Sequence, residues 1–278
     1  MEHIRPPAVD GFFYPAEAEA LGALIDDCLV TSPLGPQAVT PYSQSLIGGM
    51  VPHAGYVYSG PCAAHLYARL AGSVQRVIVL GVNHRAEGHN AALSPWDYWQ
   101  TPLGKVPVDQ ELNESLRRRV PFLKRDELAH SREHSIEVEL PFLQRVLHDF
   151  TFLPISLSYL SVDACAELGW ALAEICLSQA DKPIVLASTD LSHYRSPRDT
   201  EELDQIALEK VLGRQPEDLL KVVEEKNITM CGVIPAAVAL FAVNALGATR
   251  AQLLKHCHSG DAAPMKEVVG YASVVFEV

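Results

Sequence analysis

The sequence LIGGMVPHAGY, residues 46–56, is the stretch that decides our interpretation of the fold. Its apolar run is short, contains two glycines and stops at Pro52, a pattern that predicts a buried strand leading into a turn. His53 stands in that turn. In an open α/β sheet, ligands bind in the crevice outside the carboxyl ends of the strands. This stretch therefore predicts a strand that delivers a histidine to a binding site.

Two later segments repeat the arrangement. A strand from Arg76 to Gly81 leads to His84, and a strand from Ile184 to Ser188 leads to Asp190 and His193. Helical patterns separate the strands, and this alternation is typical of parallel strands joined by helical crossovers. We therefore predict an α/β fold, with a mostly parallel or mixed central sheet covered by helices on both faces.

Apolar spacing and proline positions predict the other elements. We expect a helix over residues 17–30, a helix that begins at Pro61, and a helix that begins within residues 129–137 and continues to Leu147. Residues 232–246 are apolar on all sides and predict a buried helix. The proline- and aromatic-rich segment 96–108 is of a kind that walls a pocket or makes a subunit contact.

Composition bounds the class of protein. With 48% hydrophobic and 20% charged residues, the chain can bury a large core, and no composition shift marks a linker, so we expect one domain over residues 1–278. The formal net charge is −12, and the one basic triplet, residues 117–119, is best explained as a solvated helix end. Nucleic-acid binding requires clustered cations, so we expect no nucleic-acid partner.

The location of the protein is also predicted. Residues 1–7 lack the charged-then-apolar pattern of a signal peptide, and the longest apolar stretch, residues 232–246, is too short to span a bilayer. The six cysteines form neither a C-x-x-C pair nor a dense disulfide pattern, which fits a reducing compartment. We therefore expect a cytoplasmic protein that does not enter the membrane, with most of its cysteines in the core.

His53 and His84 form the strongest candidate pair for chemistry. Neutral imidazole is the commonest protein ligand for zinc, iron and copper, and the two histidines follow strands that we expect to be neighbours. Cys231 is a candidate third ligand, because it precedes a predicted helix whose positive end would lower the pKa of a thiol. The alternative for Cys231 is a buried cysteine at a helix start.

A second group of polar residues has several interpretations. Asp190 and His193 are metal ligands, a proton-transfer pair, or a helix-capping aspartate with a packed histidine, and their spacing does not choose among these. His134 and Glu137 would lie one turn apart on a helix. That placement predicts either a general base near the metal or an ordinary solvated helix start.

Seven motifs together resemble the Memo family. They are RPPAVDGFFYP (5–15), VPHAGYVYSG (51–60), LGVNH (80–84), TPLGKVPVD (101–109), EHSIEVELP (133–141), STDLSHY (188–194) and CGVIP (231–235). In prokaryotes this family is also called AmmeMemoRadiSam system protein B, because its genes occur beside those of an AMMECR-type protein and a radical SAM protein. The resemblance implies a fold similar to that of class III extradiol dioxygenases, which hold non-haem iron between strand ends.

The resemblance also implies roles for particular residues. His53, His84 and Cys231 match the family's metal site, while His134, Asp190 and His193 match polar positions that line the same cavity. The dioxygenases have a carboxylate where this family has cysteine, and a thiolate changes the charge and potential of iron.

These matches lead to one functional hypothesis and one alternative. The hypothesis is a metal-dependent redox enzyme acting on a small substrate, with iron as the expected metal, copper or zinc as the other ions considered, and the AMMECR-type and radical SAM proteins as expected partners. The alternative is a non-catalytic metal- or peptide-binding scaffold that keeps the cavity of an enzyme fold.

Overall fold

The computed structural model describes residues 2–72 and 74–278. Its strands are β1 (Ile4–Arg5), β2 (Leu46–Val51), β3 (Arg76–Val82), β4 (Ala91–Leu93), β5 (Tyr98–Thr101), β6 (Gly104–Pro107), β7 (Lys124–Arg125), β8 (Thr151–Leu157), β9 (Ile184–Ser188), β10 (His193–Arg195), β11 (Arg250–His258) and β12 (Val268–Glu277). Its α-helices are α1 (Ala18–Asp26), α2 (Tyr56–Tyr67), α3 (Gln110–Arg119), α4 (Leu128–Ser131), α5 (Leu140–Val146), α6 (Val162–Ser178), α7 (Pro197–Leu212), α8 (Pro216–Glu225), α9 (Val233–Ala245) and α10 (Ser259–Ala262).

Nine of the strands in this described part of the chain form one mixed sheet. Its order is β10-β12-β2-β9-β3-β8-β4-β7, and β11 also pairs with β12. The four central strands β2, β9, β3 and β8 are parallel, whereas β12 joins β2, and β4 joins β8, in antiparallel pairs. Because the central strands are parallel, their carboxyl ends meet at one edge of the sheet. The predicted α/β class and mixed sheet are confirmed.

Helices cover both faces of this sheet. Along β3, Val77 and Val79 pack in one apolar core with residues of α1, α2 and α5, while Ile78 and Leu80 pack in a second core with residues of α6 and α9. A strand buried on both faces is a continuous apolar run, as the sequence of β3 is. The two cores therefore hold the central strands rigidly, and the loops after those strands are built on a fixed base.

A buried ion pair ties the amino-terminal segment to this body. The guanidinium of Arg5 lies 2.6 Å from the carboxylate of Glu137, and both side chains are fully buried. Arg5 also donates to the carbonyl oxygens of His130 and Glu133, and Glu137 accepts from the backbone N–H of Ala8. A buried charge pair is tolerated only when its remaining hydrogen-bonding capacity is filled, as it is here. Segment 5–14 is thus a fixed wall of the molecule.

Two predicted helices in the first part of the chain differ from those observed. The helix predicted over residues 17–30 is α1 followed by a wider π turn, Asp27–Thr31. Pro61 does not begin a helix, because α2 starts at Tyr56 and contains the proline. The proline costs one intrahelical bond to the carbonyl of Val57, a residue exposed enough for water to supply a substitute. Segment 96–108 contains the hairpin β5–β6, which pairs with β1.

The other sequence expectations can be compared with the described residues. The apolar helix predicted over residues 232–246 is α9, and it is buried. All six cysteines are free thiols, of which five are buried and Cys231 is partly accessible. Within residues 2–72 and 74–278, no helix has both the length and the apolar character required to cross a membrane.

Candidate metal centre

Three neighbouring parallel strands deliver polar side chains to one point. His53 follows the end of β2 by two residues, His84 follows β3 by two, and Asp190 follows β9 by two. Since β9 lies between β2 and β3, the three turns are adjacent. The backbone N–H of His53 donates to Oδ1 of Asp190 at 2.9 Å and joins two of these turns. The expectation that the strands before His53 and His84 are neighbours is wrong, because β9 is inserted between β2 and β3. The turns after all three strands nevertheless lie side by side at one edge of the sheet.

His134 completes a group of three histidines. One ligand atom from each of His53, His84 and His134 can be chosen so that all three atoms lie within 4.8 Å of one another. The rings of His84 and His134 are stacked with centroids 4.6 Å apart, and the ring of His53 stands nearly perpendicular to both. Three imidazoles at this separation are spaced to hold one metal ion.

The backbone around His134 is a turn rather than the predicted helix. Helix α4 ends at Ser131, and the next helical residues form a short 3₁₀ turn, Glu137–Glu139. The hydroxyl of Ser135 accepts from the N–H of Val82 and donates to its carbonyl, so this loop is fixed to the end of β3. Gly81 allows that approach, because a Cβ there would lie 2.3 Å from a side-chain carbon of Ile136.

The predicted pairing of His134 with Glu137 on a helix face is wrong. Glu137 is fully buried and bound to Arg5, and it does not line the cavity that holds His134. His134 instead contacts the ring of Phe13, with centroids 4.5 Å apart. The amino-terminal segment that Glu137 fixes therefore forms one side of the site.

Glu133 organises two of the histidines, a role that the sequence analysis did not assign. Its carboxylate accepts from the backbone N–H of His84, His134 and Ser135 at 2.7–2.9 Å and lies 2.9 Å from Nδ1 of His84 and 3.2 Å from Nδ1 of His134. Burial opposes its ionisation, but the hydrogen bonds and charges of His134 and His84 hold the pKa of Glu133 well below its usual range. An ionised Glu133 fixes both rings through Nδ1 and leaves their Nε2 atoms available.

His53 is held by a neutral partner. Its Nδ1 lies 2.7 Å from the hydroxyl of Ser188, and its ring is almost completely buried. Burial, with smaller contributions from His134 and His84, lowers the pKa of His53 well below its usual value. The imidazole is therefore neutral at pH 7, which is the form that binds metals.

Cys231 lies against the same histidine. Its Sγ is 3.3 Å from Nε2 of His53, and the backbone N–H of Asp190 points at the sulfur from 3.3 Å. Gly232, which precedes α9, permits this approach, since a Cβ there would be 2.3 Å from a carbon of Thr189. Cys231 is thus placed beside His53, but the residues whose ligand atoms all lie within 4.8 Å of one another are His53, His84 and His134, without Cys231.

The predicted pKa of the Cys231 thiol is wrong in direction for the protein alone. Burial, together with the charge of Asp190, raises the pKa of this thiol, against the hydrogen bonds from Asp190 and Thr189. A nearby cation would reverse the balance, because a thiol that coordinates a metal is deprotonated. The thiolate therefore depends on the metal rather than on the helix.

Asp190 and His193 line the cavity without capping a helix. The next helix, α7, is capped by Ser196, which removes the helix-cap alternative for Asp190. Burial raises the pKa of the Asp190 carboxyl, although the charge of His193 opposes this. Nδ1 of His193 lies 2.8 Å from the carbonyl of Leu191, so it carries the proton and Nε2 is left as an acceptor.

All six predicted site residues border one cavity of about 500 Å³. They are His53, His84, His134, Asp190, His193 and Cys231. Phe13, Tyr194 and Val269 add apolar or aromatic surface to the wall. The cavity thus combines several metal-binding groups with a surface suited to an organic ligand.

Comparison with known proteins identifies the family of this chain. Residues 5–275 match the family described as Memo-like protein. The chain belongs to the Memo family. It is 42% identical to a MEMO1 family protein of Ignicoccus hospitalis over 98% of both chains, and 37% identical to one of Methanocaldococcus jannaschii over the full length of both. A MEMO1 family protein of Methanopyrus kandleri is 38% identical, again over 98% of both chains.

A solved structure is similar in fold alone. An uncharacterized protein of Escherichia coli K12 matches 83% of this Memo chain and 99% of its own, with a TM-score of 0.55 and 13% identity. In the Memo chain, six of the seven motifs quoted for the family resemblance supply lining residues of the cavity, and TPLGKVPVD (101–109) supplies none. The structure adds His134 to the histidine pair and identifies Glu133 as the support of both His84 and His134.

Proposed function

We propose that this Memo protein holds a divalent metal, with iron as the first choice, and acts as a non-haem metal-dependent redox enzyme on a small organic substrate. The observation that carries the proposal is the convergence of three histidine ligand atoms within 4.8 Å, with the sulfur of Cys231 beside His53. Copper and zinc are the other ions that this donor set suits, since imidazole and thiolate bind all three.

The residues present fit such an ion. His53, His84 and His134 would hold it, since their ligand atoms lie within 4.8 Å of one another, and Cys231 would be a further ligand from its place 3.3 Å from Nε2 of His53. Each ring has one nitrogen occupied by a protein group, Ser188 for His53 and Glu133 for the other two. Supporting contacts of this kind orient metal ligands in known metal sites. When bound, the metal would supply Lewis acidity and redox equivalents.

The chain's own residues would move protons and orient the substrate. Nε2 of His193 is a proton acceptor at the wall of the cavity, since Nδ1 is committed to a backbone carbonyl. The Asp190 carboxyl, whose pKa is raised by burial, can hold or release a proton next to His53. Phe13 packs on His134 and limits the access of water from that side.

A metal titration tests the first step. Under anaerobic conditions, purified protein is titrated with ferrous iron, cupric copper or zinc, and we expect close to one ion per chain. His53→Ala should lose this binding. His89→Ala is the matched control, because His89 is exposed and bonded to Asp126 outside the cavity. Absence of binding in the unmodified protein, or equal binding in both variants, would contradict the proposal.

Oxygen-uptake assays then separate catalysis from binding. With iron bound, an enzyme should consume oxygen in the presence of a suitable small substrate, and His193→Ala should lower the rate without releasing the metal. Binding with no turnover would support the alternative, a non-catalytic metal- or peptide-binding scaffold. Tyr194 favours that alternative, because its side chain is 73% exposed at the cavity and its φ of 57° is unusual for a tyrosine.

Family association leads to a proposal about partners and location. We place the protein in the cytoplasm, working with an AMMECR-type protein and a radical SAM protein. Co-purification of tagged protein with either partner from the source cells would test this. Recovery of neither, under conditions that retain other weak complexes, would count against it.

A further inference from the structure

A chain of four buried side chains extends from the metal centre behind His53. Nδ1 of His53 contacts the hydroxyl of Ser188, which lies 2.7 Å from Oε1 of Glu139, and Tyr67 donates its phenolic proton to the other carboxyl oxygen. None of the four is more than 2% exposed. Glu139 is therefore a buried carboxyl group, two hydrogen bonds from a metal ligand, with no part in the proposed chemistry so far.

The number of protons in this chain constrains the state of Glu139. The hydroxyl oxygen of Ser188 lies within 2.7 Å of three atoms: Nδ1 of His53, Oε1 of Glu139 and the carbonyl oxygen of Ser135. A hydroxyl donates one proton, and a carbonyl oxygen only accepts. All three contacts are satisfied together when Ser188 donates to Ser135 while His53 and a protonated Glu139 donate to Ser188.

Ionised Glu139 requires a different arrangement. Ser188 must then donate to the carboxylate, and the carbonyl of Ser135 loses that donor. The hydroxyl of Ser188 still accepts from Nδ1 of His53, and a hydroxyl that donates to a charged partner is a better acceptor. Ionisation of Glu139 therefore strengthens the hydrogen bond from Nδ1 of His53 to Ser188, and it removes the hydrogen bond from Ser188 to the carbonyl of Ser135.

This inference rests on the proposed metal-binding function. We propose that Glu139 is a positioning residue for the metal ligand His53, that it acts through Ser188 to keep the proton on Nδ1, and that it releases its own proton when a cation binds. The released proton leaves a negative charge behind the ligand, which offsets the charge of the cation. Glu133 accepts from three backbone N–H groups, which suits a carboxylate that carries no proton, whereas Glu139 faces a hydroxyl that can either accept its proton or donate to it.

The surroundings of Glu139 favour a neutral group that is ready to ionise. Burial raises the pKa of Glu139 to about 8, against the hydrogen bonds from Tyr67 and Ser188, and the charge of Asp190 adds to the rise. Tyr56, on the same helix as Tyr67, has its pKa raised by burial and by the charge of Glu139. A cation on the far side of His53 acts in the opposite direction, because a nearby positive charge favours a carboxylate.

Calorimetry of zinc binding measures the released proton directly. Zinc is used because it is not redox active, and titrations at pH 7 in buffers of different ionisation enthalpy give the number of protons released. We expect the unmodified protein to release about one proton more than Glu139→Gln, which keeps the shape of the side chain but cannot ionise. The zinc affinity of Glu139→Gln should fall about tenfold, a typical cost of losing a group that supports a ligand.

Two further variants test the route through Ser188. Ser188→Ala should remove the extra proton as Glu139→Gln does, and in the metal-free protein the ¹⁵N shifts of His53 should show loss of the proton from Nδ1. Ser156→Ala is the matched control, since Ser156 is equally buried, lies in β8 on the far side of β3 from Ser188, and bonds to the carbonyl of Ala129. It should match the unmodified protein in both measurements.

The outcomes separate this inference from the function on which it rests. If the unmodified protein binds no metal, the proposed function fails. If it binds zinc but Glu139→Gln releases the same number of protons, the inference is overturned. Should Glu139→Gln not fold, Tyr67→Phe keeps the carboxyl but removes a donor that favours its ionisation, so the extra proton should be released up to a higher pH. An unchanged pH profile in Tyr67→Phe would overturn the inference as well.

Discussion

Replacement of Glu133 by glutamine tests how the metal centre is held together. Oε1 of Glu133 lies near Nδ1 of His84 and accepts from the N–H of His134 and Ser135, while Oε2 accepts from the N–H of His84. In Glu133→Gln the amide carbonyl can replace one oxygen only. The carbonyl is expected at the position of Oε1, which has more donors around it. The amide NH₂ then takes the position of Oε2 and faces the backbone N–H of His84, so two donors oppose each other.

The loss of stability in Glu133→Gln can be estimated from these contacts. One buried donor without an acceptor costs about 1–3 kcal/mol, and three bonds that lose a charged acceptor weaken by about 1 kcal/mol each. Relief of the buried charge offsets roughly 2 kcal/mol of this sum. We therefore expect Glu133→Gln to lower the free energy of unfolding by about 2–4 kcal/mol, and to weaken metal binding about 10–100-fold because His84 and His134 lose their orientation.

Urea unfolding and anaerobic metal titration measure the two effects. Asp109→Asn is the matched control, since Asp109 is a buried carboxylate that caps α3 and binds Arg76 away from the cavity. It should lose stability but keep the affinity for metal. If Glu133→Gln binds metal as tightly as the unmodified protein, Glu133 does not organise the site and the reasoning is refuted.

The same group predicts an acid-sensitive stability. Because the pKa of Glu133 is lowered in the folded protein, its contribution is present above the pKa of the unfolded chain, about 4.3, and is lost as the pH falls below that value. Unfolding measured at pH 6 and at pH 3.5 should show a smaller loss on acidification in Glu133→Gln than in the unmodified protein. An equal loss in both would contradict the assignment.

Three other predictions concern the surroundings of the site. Cys231→Ser should bind iron or copper at least tenfold more weakly while remaining folded, because a hydroxyl barely ionises, and Cys257→Ser should bind normally; equal affinities would remove Cys231 from the ligand set. Arg5→Met should cost about 3–5 kcal/mol in urea unfolding, since a buried carboxylate loses its partner, and a cost below about 1 kcal/mol would contradict that role. Gly232→Ala should impair both folding and metal binding, because the added methyl carbon would lie 2.3 Å from Thr189, and normal values of both would show that the loop yields freely.

Much of the fold was accessible from sequence because buried parallel strands have a distinctive pattern. The runs in β2, β3 and β9 are apolar, short and followed by polar turns, so both the strands and their functional ends could be predicted. Pro61 misled the prediction, because a proline is favoured at the start of a helix yet α2 tolerates it in the interior. Local preference was overruled by the packing of α2 on the sheet.

The sequence identified residues that line the site, but not the hydrogen bonds that hold them in place. His53, His84 and Asp190 were visible because they follow strands, whereas Glu133 has no such marker. Its carboxylate captures the N–H groups of His134 and Ser135, which a continuing helix would have bonded to its own carbonyl oxygens. The turn at Glu133, which made the predicted helix wrong, is therefore also the turn that positions His134. In the sequence, the one sign of this turn is that Glu133, His134 and Ser135 are consecutive residues of the motif EHSIEVELP.

The way the three imidazoles are held favours a metal centre over a structural cluster. A histidine that only fills space has no need for a fixed tautomer, and either nitrogen can face any partner. Here Nδ1 of each ring lies within 3.2 Å of a protein oxygen, from Ser188 for His53 and from Glu133 for His84 and His134. Each ring then has one nitrogen left, and on His53 that atom already faces the sulfur of Cys231. Several imidazole nitrogens that face one cavity lose hydrogen bonds to water, which is unfavourable. A cation bound in the cavity compensates for that loss.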